Sequence, residues 1–143
     1  MSSAETHAFD DVRVGHTASQ DYAITPAVYE AFLGAFDDRS PVHVDEGYAR
    51  AAGFEGRVMH GAILNGFLSH FIGMRFPGAR ALLLSADIRY TQPSFLGDRI
   101  RLTATVTQKV ESQRVLALNV AFHNETRGAT VARGRVQVGL RNA

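Results

Sequence analysis

A carboxylate and an imidazole lie five residues apart across a proline, at Asp38 and His43. A histidine–glycine pair, His60 and Gly61, follows where a helix is expected to begin. A carboxylate and an imidazole that converge on one point can hold a water molecule between them and move its protons. These are the fewest acid–base groups needed to add water to an activated double bond, or to remove it.

The composition limits the classes of function. A chain of 143 residues is expected to form one domain with a sizeable core. It has 15 Lys and Arg against 14 Asp and Glu, so no basic surplus indicates nucleic acid and no charged tail indicates a membrane surface. The absence of cysteine excludes disulfides, thiolate zinc sites and a cysteine nucleophile. No segment resembles a signal peptide or a membrane span, so we expect a cytoplasmic protein.

The first half of the chain has mixed secondary structure. A strand is predicted over 17–24. Thr25, which precedes a proline, is expected to cap a helix that ends near Asp37 or Asp38. Asp45 is expected to cap a second, short helix that stops at Gly53.

The stretch 60–74 carries the strongest helical pattern. Its apolar residues recur at spacings of three and four, and they are Ile63, Leu64, Phe67, Leu68, Phe71 and Ile72. Several small residues lie between them, although a glycine inside a helix costs about 1 kcal/mol relative to alanine. Close approach of a sheet or a ligand would compensate for that cost. We therefore expect a long helix that is buried on most sides.

After this helix the periodicity changes to two. Alternation of apolar and polar residues predicts antiparallel strands over 100–107, 116–122 and 136–140, and a further strand is predicted over 82–90. Short polar segments between these strands supply the hairpin turns. The pattern indicates an α+β domain in which a curled antiparallel β-sheet of four or five strands wraps around one long central α-helix.

From about Tyr29 to Leu140 the chain resembles the MaoC-like branch of the hotdog-fold superfamily, and within it the (R)-specific enoyl-CoA hydratases. The most specific part of the resemblance is a segment with an aspartate, a proline, a histidine and a second aspartate, followed by a histidine–glycine pair. Here these residues are Asp38, Pro41, His43, Asp45, His60 and Gly61. The loop 93–98 also resembles a Pro-x-x-x-Gly-Asp segment of that family.

The resemblance implies a single hotdog domain over 1–143, with Asp38 and His43 as the catalytic dyad. It implies that the Gly61 N–H holds the thioester oxygen of the substrate. Ser40 replaces an asparagine of the family, and Ser69 lies where many members have a serine, so both are expected to contact substrate. No metal and no redox cofactor are expected. The side chain of His60 is expected to cap the helix.

The implied reaction is the reversible hydration of trans-2-enoyl-CoA thioesters to (R)-3-hydroxyacyl-CoA. Two alternatives stay open: an acyl-CoA thioesterase of the same superfamily, and a non-catalytic protein that binds acyl thioesters. The substrate carrier is coenzyme A or acyl carrier protein. A homodimer or a dimer of dimers is expected, because pairing of edge strands between subunits would protect the open edges of the sheet.

Overall fold

The computed structural model describes residues 2–142, which form a five-stranded antiparallel sheet and four α-helices. The strands are β1 (Thr17–Ala23), β2 (Ala81–Tyr90), β3 (Arg99–Val110), β4 (Val115–Asn124) and β5 (Ala129–Leu140). Their order in the sheet is β1-β3-β4-β5-β2, so β1 and β2 are the two edges. The predicted sheet is confirmed, and it has five strands.

The helices are α1 (Pro26–Phe36), α2 (Pro41–Val44), α3 (Glu46–Ala51) and α4 (Ala62–His70). Both predicted caps are confirmed. The Thr25 hydroxyl accepts the N–H of Val28 at 3.1 Å, and the Asp45 carboxylate accepts the N–H of Tyr48 at 2.9 Å. The short helix α2 was not among the predicted elements. It begins at a proline, whose fixed φ suits the first helical position.

The core lies between α4 and the concave face of the sheet. Alternate residues of the central strands are buried there, as the period of two predicts; in β3 they are Ile100, Leu102, Ala104 and Val106. The apolar side of α4 faces them with Ile63, Leu64, Phe67 and Leu68, all buried. Burial of these apolar side chains is the main force that holds α4 against the sheet.

The predicted long helix is present over 62–75, but the expectation that it is buried on most sides is wrong. The α-helix ends at His70 and continues as a π-helical segment, Phe71–Arg75. The other face of α4 is exposed in the single chain, and it carries Ala62, Asn65, Gly66 and Ser69. The apolar spacing identified the face that meets the sheet, but the sheet covers only that side of the helix.

The edge strand β2 is unusually apolar on its exposed surface. Leu82, Leu83 and Leu84 are 57%, 42% and 52% exposed. An open edge strand presents unpaired backbone groups, and exposed leucines add an apolar surface to them. None of the helices within residues 2–142 is long and apolar enough to cross a bilayer.

A buried polar network fixes the loop between β2 and β3. Asp98 is 2% exposed, and its Oδ2 accepts the N–H of Phe95 at 2.9 Å, Nδ2 of Asn124 at 2.7 Å and Nε of Arg127 at 2.7 Å. Arg127 also contacts Glu55 at 2.7 Å. Hydrogen bonds to Glu55 and to Asp98 raise the pKa of the Arg127 guanidinium above its ordinary value. The network ties this loop to the β4–β5 turn.

Candidate active site

Asp38 lies on the loop that leaves α1. Asp37 ends the helix in the left-handed region, with φ 53°, and its carboxylate turns away to Arg39 at 2.6 Å. The Asp38 side chain is 51% exposed, and its Oδ1 accepts the N–H of Ser40 at 3.2 Å. The second oxygen, Oδ2, is directed toward His43. Ser40 therefore reaches the site through its backbone.

His43 lies in α2 and is held from two sides. Its Nδ1–H donates to the Val58 carbonyl at 2.7 Å, and the Tyr29 hydroxyl donates to the His43 carbonyl at 2.9 Å. A carbonyl oxygen can only accept a hydrogen bond, so Nδ1 carries the hydrogen and Nε2 is left for chemistry.

The two reactive atoms lie near each other without touching. Nε2 of His43 and Oδ2 of Asp38 are 3.9 Å apart. This distance is too long for a direct hydrogen bond, yet one water molecule can lie at about 2.8 Å from both atoms. The structure thus brings the two predicted residues to a separation that one water molecule, hydrogen-bonded to both atoms, can bridge.

His60 does not cap α4 through its side chain, so that expectation is wrong. The side chain is buried, and its Nε2–H donates to the backbone carbonyl of Asp38 at 2.8 Å. The imidazole ring packs against that of His43, with 4.0 Å between ring centroids, and against Phe32 at 4.7 Å. The hydrogen bond to the Asp38 carbonyl directs the His60 ring toward the loop and away from the N-terminus of α4.

Gly61 precedes the first residue of α4 with helical dihedrals, φ −58° and ψ −34°. Within residues 2–142, no group accepts its N–H. Helix N-termini present such free N–H groups together with the positive end of the helix dipole. The ring of Tyr90 covers this position, because a Cβ on Gly61 would lie 3.1 Å from its Cδ1. The Tyr90 hydroxyl in turn donates to Oδ1 of Asn65.

A cavity of about 330 Å³ opens between the start of α4 and the loop after β2. His43, His60 and Gly61 contribute to its wall. Most of the remaining lining is apolar, and it includes Ile24, Phe54, Met59, Leu64, Tyr90 and Pro93. An apolar cavity with a few polar groups at one end is typical of a small-molecule site.

Ser69 lies about two turns along α4 from Gly61, on the exposed face, and it is not among the residues that line this cavity. Its assignment as a substrate contact stays a prediction, as does that of Ser40.

The three titratable groups also lie within the reach of a metal ion, since donor atoms of Asp38, His43 and His60 are within 4.8 Å of one another. One nitrogen of each imidazole already has a hydrogen-bond partner. Nδ1 of His43 and Nε2 of His60 are bonded to carbonyls, and the two rings are tilted by 34° with 4.0 Å between their centroids. That no metal is required stays a prediction.

Sequence reasoning missed the residues that hold the dyad. Tyr29 and Val58 bond His43, but they are 14 and 15 residues away from it along the chain. Tyr29 has the helical spacing of a core residue, and Val58 acts through its carbonyl, so neither carries a sequence signal for this role.

Comparison with known proteins identifies the class. Residues 13–126 match the family described as the MaoC like domain, which is most of the chain. The chain belongs to this family, and its fold is the hotdog fold. The (R)-specific enoyl-CoA hydratase of Rhodospirillum rubrum is 33% identical over 108 residues, which are 76% of this chain and 75% of that protein.

Two further relatives agree with this assignment. The (R)-specific enoyl-CoA hydratase of Aeromonas caviae is 26% identical over 90% of this chain and 96% of its own length. The solved structure of R-hydratase PhaJ1 from Pseudomonas aeruginosa is 25% identical, with a TM-score of 0.86 over 94% of this chain and 86% of that one. At the level of enzyme class, the predicted hydro-lyase is confirmed.

Proposed function

We propose that this protein adds water reversibly to trans-2-enoyl-CoA thioesters and forms (R)-3-hydroxyacyl-CoA. The observation that carries the proposal is the 3.9 Å separation between His43 Nε2 and Asp38 Oδ2, at a cavity lined by His43 and by Gly61, whose N–H has no acceptor within the described residues. The names of the relatives from Rhodospirillum rubrum and Aeromonas caviae support the substrate class.

In the proposed reaction a water molecule bridges the dyad, with Asp38 ionised and His43 protonated on both nitrogens. The water donates one proton to Asp38 while its oxygen forms a bond to C3 of the substrate. The electrons of the C2=C3 double bond move to C2, which takes the Nε2 proton of His43. The Asp38 proton then returns to His43 through a second water, and the dyad is reset. Acid–base groups of this kind contribute about 10²–10⁴-fold in rate.

Gly61 is proposed to stabilise the charge that builds up on the thioester oxygen. Addition at C3 moves electron density through C2 to the carbonyl, so a donor at that oxygen favours the transition state over the ground state. The Gly61 N–H has no acceptor within the described part of the chain, and it lies at the positive end of the α4 dipole. The carbonyl would be placed here while C3 faces the bridging water.

An assay with crotonyl-CoA tests the proposal against its alternatives. Hydration removes the absorbance of the conjugated enoyl thioester without releasing thiol, and chiral analysis of the product identifies the R isomer. A thioesterase would release free coenzyme A thiol, and a binding protein would change neither signal. Loss of absorbance without thiol release is expected. Comparison with crotonyl-acyl carrier protein decides between the two carriers.

The reaction is proposed to need neither metal nor redox cofactor, because the dyad supplies both proton transfers. Activity is therefore expected to survive prolonged treatment with a chelator followed by desalting. Loss of activity that Zn²⁺ or another divalent ion restores would contradict this. The cytoplasmic location stays a prediction from sequence.

The active form is proposed to be a homodimer that pairs through β2. The exposed leucines of this edge strand support the proposal, as do the small residues on the exposed face of α4. The cavity extends along Tyr90, Thr91 and Gln92, at the end of the same strand, so a partner there would border the site.

Light scattering tests this assembly. The wild-type protein is expected at twice the chain mass, or at four times this mass for a dimer of dimers. Leu83→Lys, which places a charge on the edge, is expected to yield monomers. Val14→Lys is the matched control, because Val14 is 60% exposed and lies outside β2. A stable, active wild-type monomer at micromolar concentration would contradict the proposal.

A further inference from the structure

The proposed reaction gives no proton-transfer step to His60, yet this side chain contacts both members of the dyad. It is 3% exposed. Its Nε2–H donates to the Asp38 carbonyl at 2.8 Å, and its ring lies 4.0 Å from that of His43. The next residue is Gly61, so the backbone of His60 leads directly into the N–H proposed to hold the thioester oxygen.

The loop that carries Asp38 has little else to hold it. Among residues 2–142, the bond from His60 is the one hydrogen bond made by a backbone group of Asp38. The Asp38 carboxylate is half exposed and accepts one further bond, the 3.2 Å contact from the Ser40 N–H. Without His60, the position of the carboxylate relative to His43 would depend on an exposed loop.

The chemistry of the His60 site indicates that stability alone does not account for a histidine there. Its Nδ1 is buried and has no hydrogen-bond partner within the described residues. Buried polar atoms without partners oppose folding. A phenylalanine would suit the aromatic surroundings of Phe32 and Tyr29 without that penalty. The property that phenylalanine lacks is the Nε2–H that bonds Asp38.

We propose that His60 is a positioning residue for this reaction, which fixes the separation between the water-holding dyad and the oxyanion donor. The Nε2–H of its side chain holds Asp38, its ring packs beside that of His43, and its backbone continues into Gly61. The inference rests on the proposed hydratase function. A misplacement of about 1 Å in such an arrangement can lower the rate about 10²-fold.

Two variants separate the hydrogen bond from the ring. His60→Phe keeps a ring in the aromatic cluster and removes the donor, whereas His60→Gln keeps an N–H at a similar reach and removes the ring. With crotonyl-CoA, the Phe variant is expected to lose about 10- to 100-fold in kcat. KM and the Kd of saturated butanoyl-CoA should change less than about twofold, since Asp38 acts on water and not on the carrier. The Gln variant is expected to regain most of kcat.

Phe32→Leu is the matched control, because Phe32 packs on the same ring but makes no bond to Asp38. It should keep kcat close to that of the wild type. A folded His60→Phe variant with wild-type kcat would overturn the inference, and so would a Gln variant as slow as the Phe variant.

A measurement on the wild-type protein covers the case in which neither variant folds. Nitrogen NMR of the His60 ring is expected to show the hydrogen on Nε2, and a ring protonated on Nδ1 alone would overturn the inference. If the wild type does not hydrate crotonyl-CoA, the proposed function fails. The inference, which rests on that function, then fails with it. If the wild type is active and the His60 ring carries its hydrogen on Nδ1 alone, only the inference fails.

Discussion

Two of the pairs that a carboxylate forms with a basic side chain in this molecule are held in opposite ways. On the outer face of the sheet, Arg101 of β3 contacts Asp21 of β1 directly, with 2.9 Å between Nε and Oδ1. At the cavity, Asp38 and His43 stay 3.9 Å apart, and each is bonded to backbone groups instead of to the other.

The separation keeps Asp38 and His43 reactive. Asp21 and Arg101 satisfy each other, so neither is left to act on a third molecule. His43 is instead bonded to the Val58 carbonyl through Nδ1, and its Nε2 keeps its capacity to exchange a proton. Stability favours contact between opposite charges, whereas acid–base chemistry on water requires a gap that the fold holds open.

The largest loss of turnover is expected when Asp38 or His43 is replaced. Asp38→Asn and His43→Ala should each lower turnover of crotonyl-CoA by about 10²–10⁴-fold, because each removes one of the two proton-transfer groups. The double variant should be little worse than the worse single one, since both residues act on one water. Steady-state kinetics on folded protein, with the Kd of butanoyl-CoA, measure this.

Asp37→Asn is the control for these variants. Its carboxylate is adjacent in sequence but bonds Arg39, and asparagine tolerates the left-handed conformation at this position. Turnover should stay near the wild-type value. If the loss in the double variant equals the product of the two single losses, Asp38 and His43 do not act together.

A third pair extends the comparison to a buried environment. Asp98→Asn removes the charge that Arg127 contacts at 2.7 Å in the interior. Breaking a buried pair by removal of one partner costs about 3–5 kcal/mol, and the contact of Arg127 with Glu55 should reduce the loss to about 2–3 kcal/mol. Urea unfolding measures it. A loss below about 0.5 kcal/mol would show that the burial of Asp98 does not make this pair stronger than an exposed one.

The sequence was sufficient for most of the fold because the fold follows from local and periodic signals. Alternation in β3 identified Leu102 and Val106 as core, and the side chains of Thr25 and Asp45 cap helices as expected. These signals depend on neighbouring residues only. The exposed face of α4 could not be foreseen, because apolar spacing does not show what covers the other side of a helix.

The reactive residues of the candidate site could be predicted from the sequence, whereas the residues that position them could not. The spacing of Asp38 and His43 in the sequence indicated the dyad. In the structure, Nε2 of His43 lies 3.9 Å from Oδ2 of Asp38. The role predicted for His60 was wrong. Its hydrogen-bond partner is the carbonyl of Asp38, which lies 22 residues away along the chain and competes with the nearby helix N-terminus for the imidazole. Contacts between distant residues arise only when the chain has folded.

A smaller effect is expected at the oxyanion donor. In Gly61→Ala the new methyl group would lie 3.1 Å from the Tyr90 ring, which is half exposed and can shift. The helical dihedrals at this residue suit alanine, so stability should change by less than about 1 kcal/mol. Removal of a whole oxyanion donor costs about 10²–10³-fold, and crowding alone should lower kcat about tenfold.

Gly34→Ala is the control for Gly61→Ala, because a methyl group at Gly34 in α1 meets no atom of residues 2–142 within 4 Å other than the adjacent backbone of its own helix. It should leave kcat unchanged. The melting temperature and kcat are to be measured on the same preparations. An unstable but fully active Gly61→Ala variant would show that this glycine serves packing against Tyr90 and not catalysis.

The smallest effect on stability is expected at Asp21 and Arg101, whose side chains are already in contact. The hydrogen bond from Arg101 holds the pKa of Asp21 below its ordinary value of 3.8, so the pair stabilises the folded state above that pH. This contribution is lost as the pH falls through the lowered pKa of the folded state. Both side chains are about half exposed, and water and salt screen such pairs. Asp21→Asn should therefore lower Tm at pH 7 by less than about 3 °C and leave kcat unchanged. The difference from wild type should disappear in strong acid and in 1 M salt. A loss that persists in both would mean that packing of Asp21, and not its charge, stabilises this edge of the sheet.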